Sequence, residues 1–243
     1  PVPVPPVGEK LIADPDIEKM VRTHINKSKG QLTEADLAKV TGIRNATQIT
    51  DEGLKDVAKL HNLKSLSLDR SNITDAGLKE VAKLQNLKYL SLDNTRITDV
   101  GLKEVAKLQK LEWLGLDRTN ITDAGLKEVA KLQNLKWLTL DRTNITDAGL
   151  KEVAKLQELV QLYLYHTKIT YEGLAELKKA MPNCGIRGNP TPPPMNEKLI
   201  VEKAIRNGLR MPEGDLTDAD LERVTHLFFG AVNLTEEGLR ELV

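Results

Sequence analysis

DRSNITDAGLKEVAKLQNLKYLSL, residues 69–92, is followed without insertion by DNTRITDVGLKEVAKLQKLEWLGL at 93–116 and DRTNITDAGLKEVAKLQNLKWLTL at 117–140. The same register takes in NATQITDEGLKDVAKLHNLKSLSL at 45–68, DRTNITDAGLKEVAKLQELVQLYL at 141–164 and YHTKITYEGLAELKKAMPNCGIRG at 165–188. Six consecutive units of 24 residues with no break in register must share one backbone shape.

Two apolar periods alternate within each unit. In the frame L-x-x-L-x-L formed by Leu63, Leu66 and Leu68, Leu66 and Leu68 face one side while Ser65, Ser67 and Asp69 face the other. That is the period of a short strand. The frame returns at Leu87/Leu90/Leu92, Leu111/Leu114/Leu116, Leu135/Leu138/Leu140 and Leu159/Leu162/Leu164, predicting strands near 63–68, 87–92, 111–116, 135–140 and 159–164. Downstream, Ile73 turns inward, Thr74 or Asp75 caps, and Leu78, Val81 and Ala82 share one face of a helix of about three turns. Asp75 places negative charge at the positive end of that helix, and Gly77 keeps bulk out of a tight strand-to-helix corner.

One unit alone exposes the back of its strand and the inner face of its helix. Stacking covers both with identical neighbours, so stability resides in the array and its ends need covers. Strands then pair in parallel on one side and helices lie on the other. Helices are wider than the strand spacing of about 4.8 Å, so the sheet side is concave.

These residues resemble the leucine-rich repeat family over about 60% of the chain. The nearest variety is the bacterial, planctomycete-like class with T-D-A-G-L in its convex segment. The resemblance implies an α/β fold, a right-handed curved parallel-sheet horseshoe segment with helical cap-like modules, and recognition of proteins. The chain departs from the family at the inward turn position, normally Asn, where it carries Ser71, Thr95, Thr119, Thr143 and Thr167. A hydroxyl ladder there is expected to serve buried backbone amides through a tighter turn.

Residues 1–44 read as a proline-rich start and an N-terminal helical cap: Asp14-Pro15-Asp16 opens a stripe of Ile17, Met20, Val21 and Ile25, and Thr33 caps a second helix with Asp36 in the box position. The array occupies 45–188, a proline-rich linker 189–195, and a second cap-like module 196–243. In that module Leu216-Thr217-Asp218-Ala219-Asp220-Leu221 repeats Leu32-Thr33-Glu34-Ala35-Asp36-Leu37, so it is either a terminal cap or the start of a second array.

Outward positions on the strands carry Tyr89, Trp113, Trp137, Tyr163 and Tyr165, which include both tryptophans of the chain. A core role would put large rings at leucine positions, so these read as a contact surface. Asp93, Asp117 and Asp141 form a column beside them with Asp69, next to Arg70, Arg118 and Arg142. Charge sharing between the two is the plainer reading; paired acceptors and forked donors for a peptide or another polar polymer are the other. One carboxylate per turn supplies too few ligands for calcium. On the helices each lysine has an acidic neighbour, as Lys83 has Glu80, which suits a solvated face.

The chain has 243 residues with 35 basic and 35 acidic side chains, so no general field steers it toward nucleic acid. Its single cysteine, Cys184, excludes a disulfide framework, and His24, His61, His166 and His226 lack metal-ligand spacing. No enzyme, cofactor or metal site is expected, nor membrane insertion of this segment. The first residue is proline rather than methionine, which suggests a trimmed or processed precursor and says nothing about compartment; the location is unknown from the sequence, with secreted, periplasmic or cell-surface slightly favoured over cytoplasmic. The expected function is a non-catalytic protein or peptide interaction module working through the concave face. A carbohydrate-binding module on the same rings and a structural spacer in a larger protein are the alternatives.

Overall fold

The strand frames pair in chain order, each with the next. In the computed structural model, which describes residues 10–191, one parallel sheet runs through β1 (Gly42–Ile43), β2 (Ser65–Ser67), β3 (Tyr89–Ser91), β4 (Trp113–Gly115), β5 (Trp137–Thr139), β6 (Gln161–Tyr163) and β7 (Gly185–Arg187). Leu66, Leu90, Leu114, Leu138 and Leu162 are register partners from β2 to β6, and each is 0% exposed. A buried leucine contributes about 1.5–3 kcal/mol, and here the gain recurs with every repeat. The result is a curved α/β solenoid of leucine-rich repeat type with helical capping elements.

Opposite the sheet lie α3 (Leu54–Val57), α4 (Leu78–Val81), α5 (Asp99–Val105), α6 (Asp123–Val129), α7 (Asp147–Val153) and α8 (Tyr171–Ala180), preceded by α1 (Pro15–His24) and α2 (Glu34–Leu37) in the cap. The helices of the first five units have four to seven residues, shorter than the expected three turns. The reason is downstream: Leu84 and Leu87 are both 0% exposed, and the chain must leave the helix at Ala82 to turn them inward.

Thr98, Thr122 and Thr146 cap their helices, each accepting a bond from the amide two residues on. The following aspartate reaches into the next repeat. Asp75 accepts from Thr98 N at 2.8 Å and from Thr98 Oγ1 at 2.6 Å, and Asp51, Asp99, Asp123 and Asp147 do the same for Thr74, Thr122, Thr146 and Thr170. Each repeat is thereby stapled to its successor. This also changes the reason for the glycine: a Cβ on Gly77, Gly101, Gly125 or Gly149 would strike the staple aspartate and a leucine of the preceding repeat, not its own corner.

The inward hydroxyls differ from expectation as well. Ser71, Thr95, Thr119, Thr143 and Thr167 donate to the carbonyls of Leu68, Leu92, Leu116, Leu140 and Leu164, three residues back, rather than serving amides. A short hydroxyl reaches its own turn but not the neighbouring repeat.

In the N-terminal cap Asp14 accepts from Asp16 N and Ile17 N, and Ile17 and Val21 are fully buried with Met20 and Ile25 packed beside them. Asp56 accepts from Ala13 N and Asp14 N at 2.7 Å, tying cap to array. The Thr33–Asp36 capping box forms, with Lys27 2.6 Å from Asp36 holding that carboxyl well below its usual range. At the other end Thr191 N donates to Ile169 O. The second cap-like module lies outside the described residues.

Candidate functional site

Outward side chains of the sheet fall into parallel columns, one position per repeat. The strand register places Ser65, Tyr89, Trp113, Trp137 and Gln161 in one column and Ser67, Ser91, Gly115, Thr139 and Tyr163 in the next. Tyr89, Trp113 and Trp137 therefore form a continuous line on three adjacent strands. Tyr163 does not continue it, and Tyr165 stands one repeat after Asp141, at the end of the aspartate column.

The rings are not equivalent. Tyr89 and Trp113 stack with centroids 4.0 Å apart and planes at 11°. Trp113 lies down over its own strand, because a Cβ on Gly115 would come within 2.6 Å of its Cη2. One repeat on, Thr139 carries a side chain at the position of Gly115, which denies Trp137 that pose and leaves it 41% exposed. Gly115 thus sets the pose of Trp113, a position that periodicity alone did not single out; its departure from Ser or Thr was the available signal. On the flank of the column, Glu112 bridges Lys88 at 2.6 Å and Lys136 at 3.2 Å, closing a three-strand ion network that depresses its pKa.

On the other flank, the expected charge sharing between aspartates and arginines takes no ion-paired form, although Arg142 still acts on Asp141 through space. Asp93 Oδ1 accepts from Asp117 N at 2.8 Å, Asp117 Oδ1 from Asp141 N at 2.8 Å and Asp141 Oδ1 from Tyr165 N at 2.7 Å. No ion pair joins Asp69, Asp93, Asp117 or Asp141 to Arg70, Arg118 or Arg142 among the described residues. The backbone explains the separation. Arg70, Asn94, Arg118 and Arg142 have φ of 58°, 55°, 55° and 59°, a left-handed turn that sends each amide to a carbonyl of the next repeat. For a residue other than glycine that conformation costs about 1–2 kcal/mol, which the inter-repeat bond offsets, and it leaves the guanidinium exposed at the rim.

Burial, with the charges of Asp117 and Asp69, raises the Asp93 carboxyl from 3.8 to about 6. Asp141 is raised for the same first reason. A folded-state pKa above the unfolded value means that the native state binds protons more tightly, so this contribution to stability is present below the unfolded pKa of 3.8 and lost as pH rises through about 6. Asp93→Asn keeps an acceptor for Asp117 N and removes the charge. It is expected to raise the melting temperature at pH 8 more than at pH 5; equal shifts at both pH values would contradict the raised carboxyl.

The carboxylates of this face are engaged in structural bonds. The column carboxylates repeat once per turn and spend an oxygen on a backbone amide, Cys184 has its thiol pushed up by burial, and among the described residues no cluster of His, Cys, Asp and Glu suits a metal. No helix of the described residues is long and apolar enough to cross a membrane.

Among solved structures, internalin C2 of Listeria monocytogenes is 28% identical, with a TM-score of 0.56 over 74% of this chain and 87% of that one. An internalin F of the same organism is 21% identical over 75% of this chain and 56% of that one, with a TM-score of 0.51, a likeness of fold. No curated protein matches the chain. The sequence pattern described as a leucine-rich repeat region matches residues 45–181, more than half of the chain. With the period, the leucine columns and the stapled parallel strands in agreement, the chain belongs to the leucine-rich repeat family.

Proposed function

We propose that this non-catalytic module binds another protein through the column Tyr89, Trp113 and Trp137, with Tyr163 and Tyr165 at its border and Asp93, Asp117, Asp141, Arg118 and Arg142 setting polar register. The observation that carries the reading is the exposure of rings on a face built otherwise of small and charged residues: Trp137 is 41% and Tyr89 37% exposed. Flat rings bury much area with few rotamers to fix, and interface anchors of this type are each worth about 2 kcal/mol or more. The bacterial T-D-A-G-L class and a location outside the cytoplasm belong to the same proposal.

Trp137→Ala is expected to weaken a partner recovered with the natural module by at least ~30-fold, as read by calorimetric titration, with unchanged far-ultraviolet circular dichroism. A partner bound equally by Trp113→Ala/Trp137→Ala would place recognition elsewhere. The stacked Tyr89–Trp113 pair also offers a platform to a sugar ring, and glycan-array signals lost in the double variant would favour that reading.

A further inference from the structure

The rim beside the aspartate column carries one basic side chain in each of five consecutive repeats: Arg70, Arg118 and Arg142 at one register position, and Arg96 and Lys168 two residues further along their repeats. All five are exposed, and none makes a side-chain hydrogen bond or ion pair among the described residues. Acidic side chains are close in sequence to all four arginines, yet among the described residues they form no ion pair with them. Asp93, Asp117 and Asp141 turn to the amides of the next repeat. Asp75, Asp99, Asp123 and Asp147 are each held by an amide and a hydroxyl of the next threonine. The convex helices show the contrast: there Lys83, Lys107, Lys131 and Lys155 each pair with a glutamate three residues back. A chain with 35 basic and 35 acidic side chains thus presents five exposed cations without ion-pair partners among the described residues along one rim of its concave face, beside the aspartate column.

From this row we infer that the protein partner of the concave face contributes an acidic, extended segment that runs along the array, its carboxylates on the rim cations and its apolar side toward Trp113 and Trp137. The inference rests on the proposed protein-binding role and adds the chemistry of the partner. Strand spacing of about 4.8 Å makes five cations span about 19 Å, the length of roughly six extended residues. There is one such cation per repeat, staggered over two register positions, a narrow band that suits a single chain better than a broad polyanionic surface. Guanidinium groups donate forked pairs of hydrogen bonds to carboxylates, and at an exposed rim those pairs act on association and salt dependence.

The test uses the full chain and calorimetric titration with an acetylated eight-residue peptide alternating glutamate and leucine, its lysine–leucine counterpart, heparin and duplex DNA. Tighter binding of the glutamate peptide than of the other three, weakened at least fivefold between 50 and 300 mM salt and at least tenfold by Arg118→Glu/Arg142→Glu with unchanged circular dichroism, is the expected result. Equal or tighter binding of the lysine peptide, heparin or DNA, or a glutamate-peptide affinity unmoved by the charge reversal, overturns it. The two readings separate cleanly. Loss in the arginine variant with full retention in Trp113→Ala/Trp137→Ala keeps the acidic-segment inference and removes the rings; the opposite pattern keeps the ring-based interface and removes the inference.

Discussion

Leu116→Ala is expected to lower the unfolding free energy by about 2–5 kcal/mol, seen as a lower midpoint in urea. Leu116 is 0% exposed and follows β4 in the middle of the array, with Leu92 and Leu140, also 0% exposed, at the same position of the flanking repeats. Such a cavity closes only if neighbours move. Here the repeats on both sides are held by strand pairing and by the Asp75–Thr98 and Asp99–Thr122 staples, so little relaxation is open to them. In a stacked array the loss also weakens coupling between the two halves, and an unfolding transition broader than that of the parent is expected with it. Val100→Ala, at a position 63% exposed, serves as the control and should stay within about 0.5 kcal/mol. A Leu116→Ala midpoint equal to the parent's would contradict the packing assignment.

Gly125→Ala should destabilise by about 1–3 kcal/mol, opposite in sign to the usual effect of that change inside a helix, where alanine is better by up to about 1 kcal/mol. The new Cβ would meet Asp99 Oδ1 and come within 2.8 Å of Leu102 Cδ1, both from the preceding repeat. Asp99 has no freedom to yield, since Thr122 N and Thr122 Oγ1 hold its two oxygens at 2.8 and 2.6 Å. Asp99→Ala alone leaves those donors without their acceptor and costs about 1–3 kcal/mol. Because the two residues oppose each other, the double variant is expected to lose less than the sum of the singles, by about 0.5–3 kcal/mol. A stabilising Gly125→Ala would show that the repeats do not approach as closely as the staple requires.

The sequence by itself determined the period, the strand frames, the leucines that meet across the sheet, the two-helix cap with its Thr33–Asp36 box, and the outward direction of Tyr89, Trp113 and Trp137. All of these follow from facing: an unbroken 24-residue register and a two-residue alternation say which way a side chain points. What the tertiary structure decided is which group each outward or inward polar side chain meets. Asp75 next to Gly77 reads as helix chemistry, yet its partners are Thr98 N and Thr98 Oγ1, 23 residues away. Asp117 next to Arg118 reads as an ion pair, yet stacking puts Asp141 N within 2.8 Å of the carboxylate and a left-handed turn swings the arginine out. Trp113 lies flat and Trp137 stands because one is followed by Gly115 and the other by Thr139, a difference that matters only once both rings lie over the sheet. Facing is a property of one chain segment and is written in its local order. Partner choice depends on the few ångströms between stacked repeats, where a backbone amide lacking water competes for a carboxylate more effectively than a mobile, hydrated guanidinium.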